Sequence, residues 1–541
     1  MLTVTRKTNN ALITNYQPLN IAKADKKLSL ISFLGKQLNY SLDEKEVLNI
    51  FEKEIVPIPR ASGNCQQISN YLTDQLKKEG FDVFQQPDGV GKGNIVASRN
   101  INSGERNAII LQAHMDMVYV ARKTKNPSPN VKKQIVEPIR QGDNYLMAKN
   151  TSLGADDGIG VALALAVARI KDSNFRKIPL QVIFTVDEEI GLIGVQDLPS
   201  DAIKGKYLIG LDNGNSGIII NGCAGLADFD VKEPVAYRKL NEISNKEHKK
   251  VNIKISGASG GHSGLDINKG HINPVVNIVK FLDQNKDGVQ ISKLIGGREV
   301  NTIPDSVNLE LFVESDKVSS FIKSFEKHFK ETKILHASTD PALKKEIKLD
   351  ENISFQEKVL DPEMQDKILY VLSDVLKNGP ITLTKDIAKP VTSQCLSSVD
   401  LQDGEIKLKL RLRSNNKADR YKELRNTQKA LAQLFEKEIE PANVTPVWEQ
   451  KNTNVLDLAI KAFEETNGKK PRLSSPHGTV EGSVLNALVN EQICIGPTVK
   501  DVHTPNERLY IPSLKPTCRF LEQLIRDVYN FLIMKNQDKA A

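Results

Sequence analysis

The sequence predicts an α/β protein: a mixed, mostly parallel sheet covered by helices, interrupted by an inserted α+β unit. Three observations carry this. Four runs, NIVAS, NAIILQAH, LQVIFTVD and KYLIGLD, are rich in Ile, Val and Leu, as strands buried on both faces are. The helix-like segment GIGVALALAVARI sits between two of them, and strand–helix alternation is the signature of an open α/β sheet. After NGCAGLADFD the pattern changes: VNIKISG, SVNLELFVE and GEIKLKLRLRS alternate apolar and polar, the mark of an antiparallel sheet with one exposed face.

Taken in order, residues 1–40 form an N-terminal extension expected to be disordered. Met1 to Ala24 carries Arg6, Lys7 and Lys23 and no acid, so organelle targeting is its alternative reading. LSLISFL, soon interrupted by Lys36, is too short for a secretory core. Residues 41–225 make the first part of the main domain. There EVLNIFEKEI has helical spacing, IPRASGN breaks it with Pro and Gly, and CQQISNYLTDQLKKEGF resumes a helix before the buried runs. Residues 226–441 are the inserted unit, with amphipathic helices VSSFIKSFEKHFKE, DKILYVLSDVLKN and RYKELRNTQKALAQLFEKEI between its strands. Residues 442–541 return to the first domain through VLDLAIKAFEETNG, HGTVEGSVLNAL, QICIGPTV and the closing helix RFLEQLIRDVYNFLI.

A chain of 541 residues with 39% hydrophobic and 26% charged residues supports two or three domains without disulfides. The net charge of +7 is spread along the chain, and a single Trp leaves no base-stacking cluster, so no nucleic-acid partner is expected. No run of 18 apolar residues marks a membrane span. Cys65, Cys223, Cys395, Cys494 and Cys518 show no paired spacing, which fits reduced thiols in a cytoplasmic setting.

The chemistry lies in QAHMDMV, SLGADDGIG, TVDEEIG, IGLDNG and the distant GPTVKDVHTPNE. In an α/β sheet functional residues collect at the carboxyl ends of strands, where His114, Glu188, Glu189 and Asp212 fall. His114 and Asp116 are two apart and share one side of the chain, so Asp116 can hold an imidazole whose other nitrogen meets a metal. A polar pair ending a strand is the alternative. Asp156 and Asp157 precede a helix; one carboxylate can bridge two cations and is assigned to Asp156, while helix capping competes for the other. Glu188 and Glu189 point to different sides, one toward metal and one toward water and substrate; a solvated acidic turn is the rival. Like charges crowded together carry a cost that a cation removes. The set points to hydrolysis at a dinuclear metal centre.

In LQAHMDMV, SLGADDGIG, NGCAG, GGHSG, GGREVNTIP, LRS, HGTVEG and GPTVKDVHTPNE the chain resembles the dinuclear-zinc exopeptidases, most closely their peptidase D branch, from about Ile50 to Phe531. The resemblance implies a zinc-exopeptidase-type fold and two divalent ions, zinc, with manganese or cobalt as substitutes. It gives His114, Asp156 and Asp212 to one ion and Asp156, Glu189 and His503 to the other. Glu188 becomes the general base, Asp116 the orienting acid, and His262 the stabiliser of the scissile carbonyl. Asn301, Arg413 and the backbone around Gly478 would hold the substrate's polar end. For Arg413 a solvated basic face, shared with Lys407, Lys409 and Arg411, is a competing reading; His477 is left as local structure. The branch usually carries Asp-Asn where this chain has Asp156-Asp157.

The implied reaction is hydrolysis of unblocked dipeptides, Xaa-His and broader, to free amino acids. The inserted unit would act as a lid and as the contact of a homodimer, with His262 serving its own or the partner's site. N-acyl amino acid deacylation or tripeptide cleavage would use the same ligands, and a catalytically silent binding domain would keep only the fold.

Overall fold

A computed structural model describes residues 40–101, 107–122, 129–350, 356–384 and 389–540. The extension ending at residue 40 therefore lies almost wholly outside the described residues. Two large sheets organise the chain. The first has eight strands. Its centre is Leu180–Thr185, Ala108–His114 and Gly205–Gly210, side by side and parallel, with Glu491–Cys494 parallel to the last. The strands Asp82–Gln85 and Ile95–Arg99 add antiparallel on one side. The sheet is thus mixed, with a parallel core, as its uninterrupted apolar strands predict.

Both faces are covered. Helix Ala155–Arg169 is buried almost all round, as expected of a segment apolar on every side. It packs in one core with Gln66–Lys78, Asn454–Asn467 and the long closing helix Leu514–Ala540. EVLNIFEKEI forms the turn-and-a-half Glu44–Asn49 and then widens over Ile50–Ile55.

The second sheet has nine antiparallel strands, running from Lys344–Asp350 at one end to Asn443–Val444 at the other. Its alternating burial is the one-sided pattern the sequence carries: Val307–Glu314 and Glu405–Ser414 put every second side chain into a core made with Pro274–Gln284, Val318–Leu335, Pro362–Tyr370 and Lys417–Phe435. This sheet begins at Gly225 and ends at Val444, three residues beyond the expected boundary at 441. A four-stranded sheet, unforeseen in the sequence, joins Pro138–Gln141 and Tyr145–Ala148 to Arg508–Tyr510 and Val499–Lys500. Its strands are too short to show a period. It brings the loop carrying His503 back to the first sheet.

Candidate metal centre and active site

Three adjacent parallel strands deliver the acids. Ala108–His114 ends on its histidine; Leu180–Thr185 leads into Glu188 and Glu189; Gly205–Gly210 leads into Asp212. Asp156 comes from the first turn of Ala155–Arg169, where Asp156 and Asp157 depart from helical angles across a cis peptide bond. His503 enters from the loop after Val499–Lys500. Three groups converge with donor atoms within 4.8 Å of one another: His114 with Asp156 and Asp212, Asp156 with Glu189 and His503, and His114 with Glu188 and Glu189. The first two share Asp156, one of whose oxygens is 3.3 Å from His114 Nε2 and the other 3.3 Å from His503 Nε2. His503 Nε2 is also 2.8 Å from Glu189 Oε1.

This donor set fits two cations. Imidazole nitrogens and carboxylate oxygens are ordinary ligands for zinc-like ions, and a bridging carboxylate fixes two neighbouring positions. The electrostatics agree. Burial first, then Asp156 nearby, pushes Asp212 up to about 8. Burial and the neighbouring acids raise Glu188 well above the usual carboxylate range, although His114 opposes this. Burial alone would lower His114, but the Asp116 and Asp156 carboxylates beside it raise it well above its ordinary value. Asp156, buried yet bonded to His114 and His503, is held below the usual range.

Asp116 lies against both the histidine and the acidic turn. Its Oδ1 lies 3.3 Å from His114 Nδ1. The same carboxylate accepts the backbone N–H groups of Glu188 and Glu189, at 3.0 and 3.3 Å, and the Ser62 hydroxyl at 2.8 Å. It therefore fixes the acidic turn relative to the histidine. Asp157 does not cap its helix as one reading expected. Gly154 occupies the cap position, and the Asp157 carboxylate accepts the His114 N–H at 3.3 Å.

Three supporting residues escaped sequence reasoning. Glu507, four residues after His503, accepts the backbone N–H groups of Leu153 and Gly154, both at 2.9 Å, and of Asp156 at 3.1 Å. Glu481 of HGTVEG lies buried behind the acids, accepting from Thr185 Oγ1 at 2.6 Å and from the Gln112 amide. Arg60 of IPRASGN is buried and donates to the carbonyls of Met115 at 2.9 Å, Asp116 at 3.0 Å and Gly154. It ties the His114–Asp116 loop to the Asp156 loop. Arg60→Met strands three buried carbonyls. At about 1–3 kcal/mol for each unsatisfied group, the loss should reach about 3 kcal/mol or more, read as a lower urea midpoint.

The nine-stranded unit carries the remaining candidate residues. Backbone N–H groups of Gly264 and Leu265 donate to His262 Nδ1 at 3.2 and 3.0 Å, so the neutral ring carries its proton on Nε2. Burial and the adjacent Arg413 push its pKa down to about 4. Arg413 Nη2 sits 3.5 Å from that Nε2. Both atoms are donors, so they converge on a place for an acceptor rather than bonding each other. Arg413 is not on a solvated basic face: it is 3% exposed, while its neighbour Arg411 is paired with Asp228 at 2.6 Å. Asn301 is exposed beside His262, its carbonyl accepting the Ser263 N–H at 2.8 Å. Gly478 is half-buried with open space at its Cα.

The chain is 28% identical to the cytosol non-specific dipeptidase of Escherichia coli over 498 residues, covering 90% of this chain and 98% of that one. A shorter stretch of 175 residues is 28% identical to peptidase T of Pasteurella multocida, over 27% of this chain and 41% of the relative. Among solved structures, the aminoacylhistidine dipeptidase of Vibrio alginolyticus superposes with a TM-score of 0.71 at 23% identity, covering 89% of this chain and 96% of that one, which shows a shared fold. The sequence model of peptidase family M20/M25/M40 matches residues 110–527, a span that takes in the nine-stranded sheet, most of the eight-stranded one, every candidate ligand and both converging donors; the chain belongs to that family.

Proposed function

We propose that the chain is a metal-dependent dipeptidase acting on unblocked dipeptides, Xaa-His and broader. The observation that carries this is the 3.5 Å between Arg413 Nη2 and His262 Nε2. If His262 donates to the scissile carbonyl and Arg413 to the substrate's terminal carboxylate, only one residue fits after the bond to be cut. An added residue after that bond would move the carboxylate away by about 3.3–3.6 Å when extended, which disfavours tripeptides cut at their first bond. Similarity along nearly the whole chain to a dipeptidase supports the same reading.

Bound at the two ligand sets, the cations would polarise the carbonyl and make water acidic enough to react near neutral pH. Glu188 takes a proton from the attacking water and returns it to the amine as the C–N bond breaks. Asp116 keeps His114 and the acidic turn in register. His262 Nε2–H donates to the carbonyl oxygen as negative charge develops there. Zinc is the proposed ion, with manganese or cobalt as substitutes, because imidazole and carboxylate donors suit all three. The nine-stranded unit is proposed as lid and homodimer contact, and the cytoplasm as location; buried free cysteines support a reducing compartment. Among the described residues no helix is long and apolar enough to cross a membrane.

The test is a panel of carnosine, other Xaa-His dipeptides, Gly-Gly, dipeptide amides, a tripeptide and N-acetyl amino acids with the zinc- or manganese-loaded protein. Dipeptides should be cleaved fastest. Arg413→Ala should lower kcat/KM for dipeptides by about 10–100-fold, the worth of a buried charge-assisted hydrogen bond. Preference for N-acetyl amino acids would make the chain a deacylase; equal cleavage of dipeptides and their amides would remove the carboxylate subsite.

A further inference from the structure

His477 has no part in the reaction just described, yet its ring spans the two sheets. The loop that carries it follows Arg472–Ser474 of the eight-stranded sheet. Its ring partners, Ser393 and Asn415, lie on or just after strands Pro390–Gln402 and Glu405–Ser414 of the nine-stranded sheet. His477 Nδ1 is 2.7 Å from Asn415 Oδ1, and Nε2 is 2.8 Å from Ser393 Oγ. The Asn415 amide nitrogen donates to Ser475 Oγ at 2.9 Å and to the Pro476 carbonyl at 3.0 Å, so its oxygen faces the ring. Nδ1 therefore carries the proton and Nε2 accepts from Ser393. Burial, Arg413 and His262 push the ring's pKa down to about 3, so it stays neutral wherever the enzyme works.

These partners bracket Arg413. Ser393 is its register partner across the strand pair, and Asn415 lies two residues on. Arg413 itself is buried with its Nε unbonded among the described residues, so its place depends on the strand beneath it. The His477 backbone reaches the His262 loop as well: a Cβ on Gly264 would lie 2.9 Å from the His477 carbonyl oxygen and 2.9 Å from Arg413 Nε. The serine–histidine–asparagine order is that of a nucleophile relay, but Ser393 is 1% exposed and no substrate reaches its hydroxyl.

We propose that His477 is a positioning residue, a latch between the two sheets that holds Arg413 and the His262 loop in place for substrate by bonding Ser393 and Asn415 on either side of Arg413. The inference rests on Arg413 receiving the substrate carboxylate. The metal-loaded full chain tests it through His477→Ala, His477→Gln, Ser393→Ala, the His477→Ala/Ser393→Ala double variant and Arg413→Ala, each assayed on a dipeptide and its C-terminal amide. His477→Ala should raise KM for the dipeptide about tenfold, shrink the dipeptide-to-amide preference and leave two ions bound. His477→Gln should recover part of the preference, and adding Ser393→Ala to His477→Ala should cost less than the product of the single effects. Equal losses on both substrates, or unchanged KM, overturn the latch. If Arg413→Ala leaves the preference intact, the carboxylate reading fails instead. Hydrogen exchange then decides the latch alone: the Gly264 and Leu265 amides should exchange faster in His477→Ala, and unchanged exchange refutes it. Should His477→Ala not fold, Ser393→Ala gives the same readouts with one bond removed.

Discussion

Glu188→Gln should retain two divalent ions and lose about 10²–10⁴-fold in kcat, the usual contribution of a positioned general base. The substitution keeps shape and hydrogen bonding but removes the ability to take a proton. Its backbone N–H stays bonded to Asp116 at 3.0 Å, so the acidic turn should not move. Burial and the surrounding acids hold the Glu188 carboxyl well above its ordinary value, against the pull of His114, as is common for acids at functional sites. Glu188 shares a donor group with His114 and Glu189, but only Glu189 also stands with Asp156 and His503, and Glu189→Gln should lose one ion. Elemental analysis beside steady-state kinetics separates the two. Full turnover in Glu188→Gln would take the residue out of the mechanism, and loss of an ion would make it a ligand.

The positions of these acids were legible because parallel strands impose them. His114, Glu188, Glu189 and Asp212 each follow an unbroken apolar run, and such runs must end together at one edge of the sheet. His503 was not legible that way. It lies in a loop between strands of two and three residues, and only resemblance joined it to Asp156. For Arg413 it is the competing solvated-face reading that fails: KLKLRLR puts each cation on the outward face, but the last of them is buried, with the 475–478 loop of the other sheet bonded to the neighbouring Asn415. A period of two predicts which face a side chain takes, not what later covers that face. Arg60 and Glu507 left no pattern at all, because both bond to backbone groups that any sequence supplies. Helix-capping logic failed at Asp157 because the cap position falls on Gly154 and the Asp157 carboxylate accepts the His114 N–H instead.

Chelating the ions should make stability fall as pH rises from about 5 to 8, and reloading them should reverse that trend. The sign follows from which state holds more protons. Asp212 is pushed up to about 8, and Glu188 and Glu189 are raised, chiefly by burial. In the unfolded chain such groups release their protons near about 4. Between those values the folded, chelated protein binds more protons than the unfolded one, so its stability declines with increasing pH. His503, whose pairing with Asp156 and Glu189 overcomes burial and lifts it to about 10, acts in the same direction: its contribution is whole below about 6.5 and fades as pH approaches the folded value. Asp156 and Asp116 oppose them, since their lowered pKa values contribute above about 4 and are lost on acidification. Ions bind the deprotonated acids and neutral imidazoles, so their affinity grows over the same interval. Each ion held at a hundred times its Kd adds about 2.7 kcal/mol. The gap in Tm between loaded and chelated protein should therefore widen steadily in melts at pH 5, 6.5 and 8. A gap that stays constant would mean that the clustered carboxyls do not hold the ions, because only ligands that shed protons on binding can tie metal affinity to pH in this direction.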